Sequence, residues 1–218
     1  MPKVIKGDIL YEAGNITLIK EERNMKENAN IKQFREEDSL ALRAVTDGFS
    51  KVRMTGECID RIYKNGVLVD EIVGHNLVVS SFLNLVMCLL KRQSGYSGIQ
   101  YWAIGSGATS WDSNTPSPSL DATKLTAEIG RAVINPSDIK FLNTNYEEVS
   151  TPTPIIQISH TFGADECNGT WREFGIFGGN ATASANSGIM INKRHHSVIT
   201  KTTDMTIERI MRFTIKLA

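Results

Sequence analysis

The chain reads as a mostly β protein: an antiparallel β-sandwich of jelly-roll-like type with one main helix and a charged N-terminal arm. Three observations predict it. Across the C-terminal third, apolar and polar residues alternate with a period of two, the pattern of strands with one buried and one wet face. From residue 52 onward, short β-rich runs are separated by Gly, Pro, Asn and Ser, as in sandwiches and jelly rolls. One principal stretch, near residues 77–92, places apolar side chains at helical spacing.

The first 50 residues stand apart from a β domain over 51–218. KEERNMKENANIKQFREEDS (20–39) is charged, holds few large apolar residues and cannot build a core. LALRAV (40–45) can continue it as a short helix. Two readings stand side by side: an attachment arm that orders on a neighbour, and an N-terminus without fixed structure.

In ECIDRIYKNGVLVDEIV (57–73), Asn65-Gly66 separates two β-rich runs. Asn-Gly suits a type I′ turn, in which both central residues need positive φ. In the next segment Val79, Phe82, Leu83, Val86, Leu89 and Leu90 recur at helical spacing before Lys91-Arg92. LVVSSFLNLVMCLL (77–90) falls short of the roughly 20 apolar residues a bilayer requires and reads as a buried helix, so no membrane insertion is expected. IQYWAIGSG (99–107) reads as a strand and residues 108–123 as a turn-rich loop. KLTAEIG (124–130) fits one or two helical turns capped by Asp121 or Thr123. RAVINPSDIKFLN (131–143) gives two short strands around Asn135-Pro136. In PIIQISHTF (154–162), Ile156, Ile158, His160 and Phe162 share a face. In TIERIMRFTIKL (206–217), Ile207, Met211, Phe213 and Ile215 share a face with Arg209.

Composition removes several classes of function. The 24 basic and 24 acidic residues balance, which gives no general attraction to nucleic acid or an anionic membrane. Cys58, Cys88 and Cys167 form no CxxC pair and read as free thiols. The chain lacks GxSxG, P-loop, GxGxxG and HExxH motifs, so neither catalytic residues nor cofactor nor metal are expected. His195 and His196 point to opposite faces of a strand. They chelate one ion only if symmetry copies share it, and an exposed basic edge is the plainer reading. Cys167 near His160 lacks the sign of an oxyanion pocket. Lys193, Arg194, Lys201, Arg209, Arg212 and Lys216 outnumber Asp204 and Glu208 toward the C-terminus. Without interleaved aromatics this reads as a polar sheet face or subunit contact, not a nucleic-acid site.

GTWREFGIFGG (169–179) sets two charges in an apolar strand. Alternation puts Trp171, Glu173, Gly175 and Phe177 on one face and Arg172, Phe174 and Ile176 on the other. A half-buried charge needs a partner, and Arg172 and Glu173 point apart. Glu128 and Arg131 have the matching signs, which makes Glu173–Arg131 the expected pair, within one chain or between subunits.

YWAIGSG, the Ser/Pro-rich loop, LTAEIGR, HTFGADECNGTWREFGIFGG and KTTDMTIERIMRFTI occur in that order. In this the chain resembles structural proteins of tailed bacteriophages and related contractile tail particles, namely tail fibre, baseplate and appendage proteins. The resemblance spans about residues 55–218. It implies a non-enzymatic virion component of the tail, made in the bacterial host cytoplasm. Such a component oligomerises, with a trimer or hexamer the natural closed ring, and docks through residues 1–50 on other tail or baseplate proteins. The alternative is a receptor-binding module for a host surface glycan or protein, with Trp111 as the contact. Against that, Trp102 reads as core and Trp111 as packing its loop down.

Overall fold

The structure, a computed structural model, describes residues 4–6, 9–11 and 52–217. The expected arm over 1–50, LALRAV included, therefore lies outside the described residues except for a short antiparallel hairpin of β1 (Val4–Lys6) and β2 (Ile9–Tyr11). That hairpin belongs to one compact unit, and Val52–Lys216 form another.

The larger unit is mostly β, with one α-helix among the described residues and a curled ten-stranded antiparallel sheet. In chain order its elements are β3 (Val52–Lys64), β4 (Val67–Val78), α1 (Ser81–Leu90), β5 (Ser97–Gly105), β6 (Glu128–Val133), β7 (Ile139–Leu142), β8 (Glu148–Val149), β9 (Ile155–Phe162), β10 (Gly169–Gly179), β11 (Ile189–Lys201) and β12 (Met205–Leu217). Across the sheet they run β6-β5-β10-β11-β4-β3-β12-β9-β7-β8. β4 is the hinge of the curl. It pairs with β3 along nearly its whole length, but with β11 only at Asn192↔Val78 and Lys193↔Leu77.

Local chemistry accounts for several boundaries. Asn65 and Gly66 adopt φ of 50° and 80° between the paired Lys64 and Val67, as the I′ turn requires. The helix is shorter than its apolar pattern, because Leu77 and Val78 are held in β4 by β11. It closes at Lys91, after which Arg92 takes a left-handed φ of 55°, the usual way to end a helix. The expected helical turns in KLTAEIG do not form: residues 124–127 are irregular. Glu128–Val133 is instead an outer strand, with Tyr101↔Val133 and Gly105↔Glu128 in register. Pairing to β5 supplies backbone hydrogen bonds that two isolated helical turns cannot match.

The core has two parts. The inner face of the curl buries Trp102, Phe162, Trp171, Phe174, Ile158, Ile207, Met211 and Phe213, with Leu85 of α1 against them. A smaller cluster joins Val79, Ala103, Leu125, Phe177 and Met190. β10 contributes to both, so it is covered on each side. Neighbouring backbone comes so close that a side chain at Gly178 would stand 2.1 Å from the carbonyl oxygen of Gly98. Gly178→Ala is therefore expected to cost about 1–3 kcal/mol of stability, measured by urea denaturation. Gly66→Ala meets no neighbour within 4 Å and is expected to cost only the left-handed backbone strain, about 1 kcal/mol.

Candidate functional site

The charges of GTWREFGIFGG are resolved by a β-bulge between Trp171 and Glu173. The bulge resets the alternation. Trp171 joins Phe174 and Ile176 in the inner core, while Arg172 and Glu173 both engage the loop that follows β5. Arg172 donates to Asp112 through Nε (2.5 Å) and Nη2 (2.8 Å), and to the carbonyl oxygen of Ser106 through Nη1 (3.0 Å). Glu173 accepts from the Ala127 N–H (3.0 Å) and forms an ion pair with Lys193 Nζ at 2.9 Å. His195 Nε2 is 3.7 Å from the same carboxylate. Trp111 lies on the His195 ring, with centroids 4.1 Å apart, and His195 Nδ1 contacts the carbonyl oxygen of Pro116 at 2.8 Å. The loop is thus stapled to β10 and β11, with Trp111 packing it down.

The expected Glu173–Arg131 pair does not form within the chain. Lys193 sits diagonally across from Glu173 on the adjacent strand, where the register pairs are Glu173↔His195 and Gly175↔Lys193, and diagonal neighbours are within reach of long side chains. Arg131 is taken by Glu128, through Nε–Oε1 and through Nη2–Oε2 at 3.2 Å. It also donates to the carbonyl oxygens of Thr182 and Ser187 and lies over Phe177 at 4.4 Å. This cluster fastens the 180–188 turn to β6.

His195 and His196 do point to opposite faces, but neither is on an exposed edge. β11 is an interior strand, and both side chains are buried. Of the basic residues near the C-terminus, Lys193, Arg194, Lys201 and Arg209 are buried, Arg212 is half-buried and Lys216 is exposed, so most of them are not a wet face. Lys201 is satisfied by the carbonyl oxygen of Gly163 (2.6 Å) and by Asn168 Oδ1 (2.8 Å). His160 is held by Glu166 at 3.0 Å, and burial followed by the nearby Glu166 carboxylate lifts the Cys167 thiol to about 11. These two do not form a nucleophile and base.

The centre of the inner core is ionic. Arg209 Nε and Nη2 bind the two oxygens of Asp60 at 2.5 and 2.9 Å, and both side chains are fully buried. The guanidinium lies 4.1 Å over Phe174 and 5.2 Å from Trp171. Burial pushes the Asp60 carboxyl up, but the charge and hydrogen bonds of Arg209 outweigh it and hold it below the usual carboxylate range. Burial, then the Asp60 charge, raises the Cys58 thiol to about 12. Burial, then the Arg209 charge, lowers the His196 imidazole to about 4. Arg194 completes the group. Its Nη2 is 2.3 Å from where a side chain at Gly74 would begin, so the strand opposite must lack one.

The outer surface differs in kind. On α1, Leu83, Met87 and Leu90 are 66%, 63% and 72% exposed and repeat at i, i+4 and i+7. Leu85 alone is buried in that helix, which corrects the expectation of a buried helix. The sequence did carry the signal: a helix apolar all round exceeds what one side of a sheet can cover. Val67, Leu68, Val69 and Val73 of β4 are exposed as well. A polar cleft of about 600 Å³ opens where β3 begins and β12 ends, lined by Arg53, Glu57, His75, Tyr146, Arg212 and Lys216 among others. Among the described residues no cluster of His, Cys, Asp and Glu fits a metal ion, and no helix is long and apolar enough to cross a membrane. Comparison with family models, curated proteins and solved structures gives no match.

Two outcomes follow from the ionic core. Asp60→Ala leaves Arg209 buried without its carboxylate and is expected to cost about 3–5 kcal/mol in chemical denaturation, whereas Asp60→Leu combined with Arg209→Met recovers most of that loss. The second is a pH profile. His196 is depressed in the folded state, so its contribution is complete above its ordinary value of 6.5 and is lost as pH falls toward about 4. The loss should reach about 3 kcal/mol, and His196→Gln should flatten that limb of the stability curve. The Asp60 contribution is lost only at lower pH, below the ordinary carboxylate value.

Proposed function

We propose that this chain is a structural subunit of a phage-type tail, in a baseplate, fibre or collar position, and that it acts by assembling with copies of itself and with neighbouring tail proteins. The observation that carries the reading is the outward face of α1. Leu83, Met87 and Leu90 present a contiguous apolar stripe, and the helix from Ser81 to Leu90 contains no charged residue. Apolar stripes of this kind mark contact surfaces. A face without charge can meet its own copy about a symmetry axis with no like charges opposed, so the occupant we assign is a second copy of this chain.

Two further features support a subunit that works through contacts. The ordered apolar and ionic interior stiffens the β unit, and the long loop after β5 is stapled flat rather than left around an open cleft. The two halves of the curled sheet, facing each other across the inner core, are compatible with the jelly-roll-like sandwich expected of such a subunit. The motif order described above supplies the tail assignment, with residues 1–50 as the attachment segment. A receptor contact at Trp111 draws no support from the packing of that ring on His195.

Light scattering on the purified protein tests this. A trimer or hexamer is expected, with Leu83→Asp plus Met87→Asp shifting it to monomer while the circular dichroism spectrum is retained. A wild-type monomer at all accessible concentrations, or an unchanged oligomer in the double variant, would remove this face from the assembly.

A further inference from the structure

We propose that the inner core binds a small monovalent anion of chloride size, held by Arg194, Arg209 and Trp102 around the ring of Phe174. The side chains converge there from four strands. Arg209 of β12 stands 4.1 Å over the Phe174 ring. The Trp102 ring of β5 is 6.2 Å from it. Arg194 of β11 is the register partner of Phe174. On each of the three, one N–H group is buried and meets no acceptor among the described residues: Nη1 of Arg194, Nη1 of Arg209 and Nε1 of Trp102.

Charge selects an anion over water. Asp60 is the carboxylate of this cluster, and it is fully engaged by Nε and Nη2 of Arg209. Arg194 is only 8% exposed and forms no ion pair among the described residues. His196, whose ring lies 6.2 Å from Phe174, contacts the carbonyl oxygen of Ser197 through Nδ1. It stays neutral and supplies no negative charge. Cys58 is a protonated thiol. The cluster therefore holds two guanidinium cations against one carboxylate, an excess of one positive charge in a dry interior. Such a charge is costly unless compensated. A bound water would satisfy the N–H groups but leave the charge, whereas a monovalent anion answers both.

The test is the thermal midpoint of the full chain at pH 7.5 and constant ionic strength, with chloride replacing gluconate. The midpoint is expected to rise with chloride by about 3 °C and to saturate, as for a ligand bound only by the folded state. Arg194→Met should abolish the rise, and Trp102→Phe, which keeps the ring but removes the N–H, should weaken it. Crystals soaked in bromide should show an anomalous peak beside Phe174. Equal midpoints in chloride and gluconate would overturn the proposal. So would a chloride effect that persists unchanged in Arg194→Met. If that variant does not fold, the bromide experiment on the wild-type protein decides, and the lack of a peak overturns the site.

Discussion

A carboxylate and a guanidinium meet at the middle of this protein, both sealed from water, and the rest of the larger unit is arranged around them. Asp60 belongs to β3 and Arg209 to β12, neighbouring strands that are far apart in sequence. Removing two charges from water is expensive, and their mutual attraction offsets that only when the geometry is good and further contacts complete it. Here the contact is bidentate, and the cation is also roofed by Phe174 and Trp171 of β10. The pair thus connects β3, β12 and the far side of the curl. A slip of one residue in either strand would turn one charge outward and leave the other buried alone, so the pair penalises every register except the observed one.

β10 shows how one strand can serve two environments. Its inner side chains Trp171, Phe174 and Ile176 complete the core around Arg209. Its other side, with Phe177 in the second apolar cluster, carries the polar staples for the loop after β5. The bulge at Trp171–Glu173 makes this possible. Between the pairs Trp171↔Ile199 and Glu173↔His195, β11 uses two residues more than β10, and this irregularity lets two consecutive charges face the loop while the tryptophan still reaches the core. Arg172 with Asp112 and Glu173 with Lys193 then hold a long turn-rich loop that has few apolar residues of its own.

The helix obeys a different constraint. One face meets the sheet through Leu85, and the ridge opposite has nothing in the larger unit to cover it. Leu83, Met87 and Leu90 in water represent surface whose burial is favourable at roughly 25 cal/mol per Å². Under the assembly role proposed for this chain, that ridge is the surface a second copy would cover.

The sequence by itself determined the elements whose signal is local. The Asn65-Gly66 turn, the helix core, the alternating strands β9 and β12 and the burial of Trp102 follow from backbone preference and from periods of 2 and 3.6. It also marked GTWREFGIFGG as a strand whose charges need partners. What only the tertiary structure decided is which partners those are. Lys193 rather than Arg131 meets Glu173 because register and a bulge set it diagonally opposite, and no spacing in the chain encodes a bulge. KLTAEIG became a strand because β5 offered hydrogen bonds. Of the late basic residues, Arg194 and Arg209 went inside beside Asp60, while Lys193 was drawn in by Glu173 and Lys201 by the carbonyl oxygen of Gly163. In each case the deciding energy comes from groups distant in sequence, which local propensity does not contain.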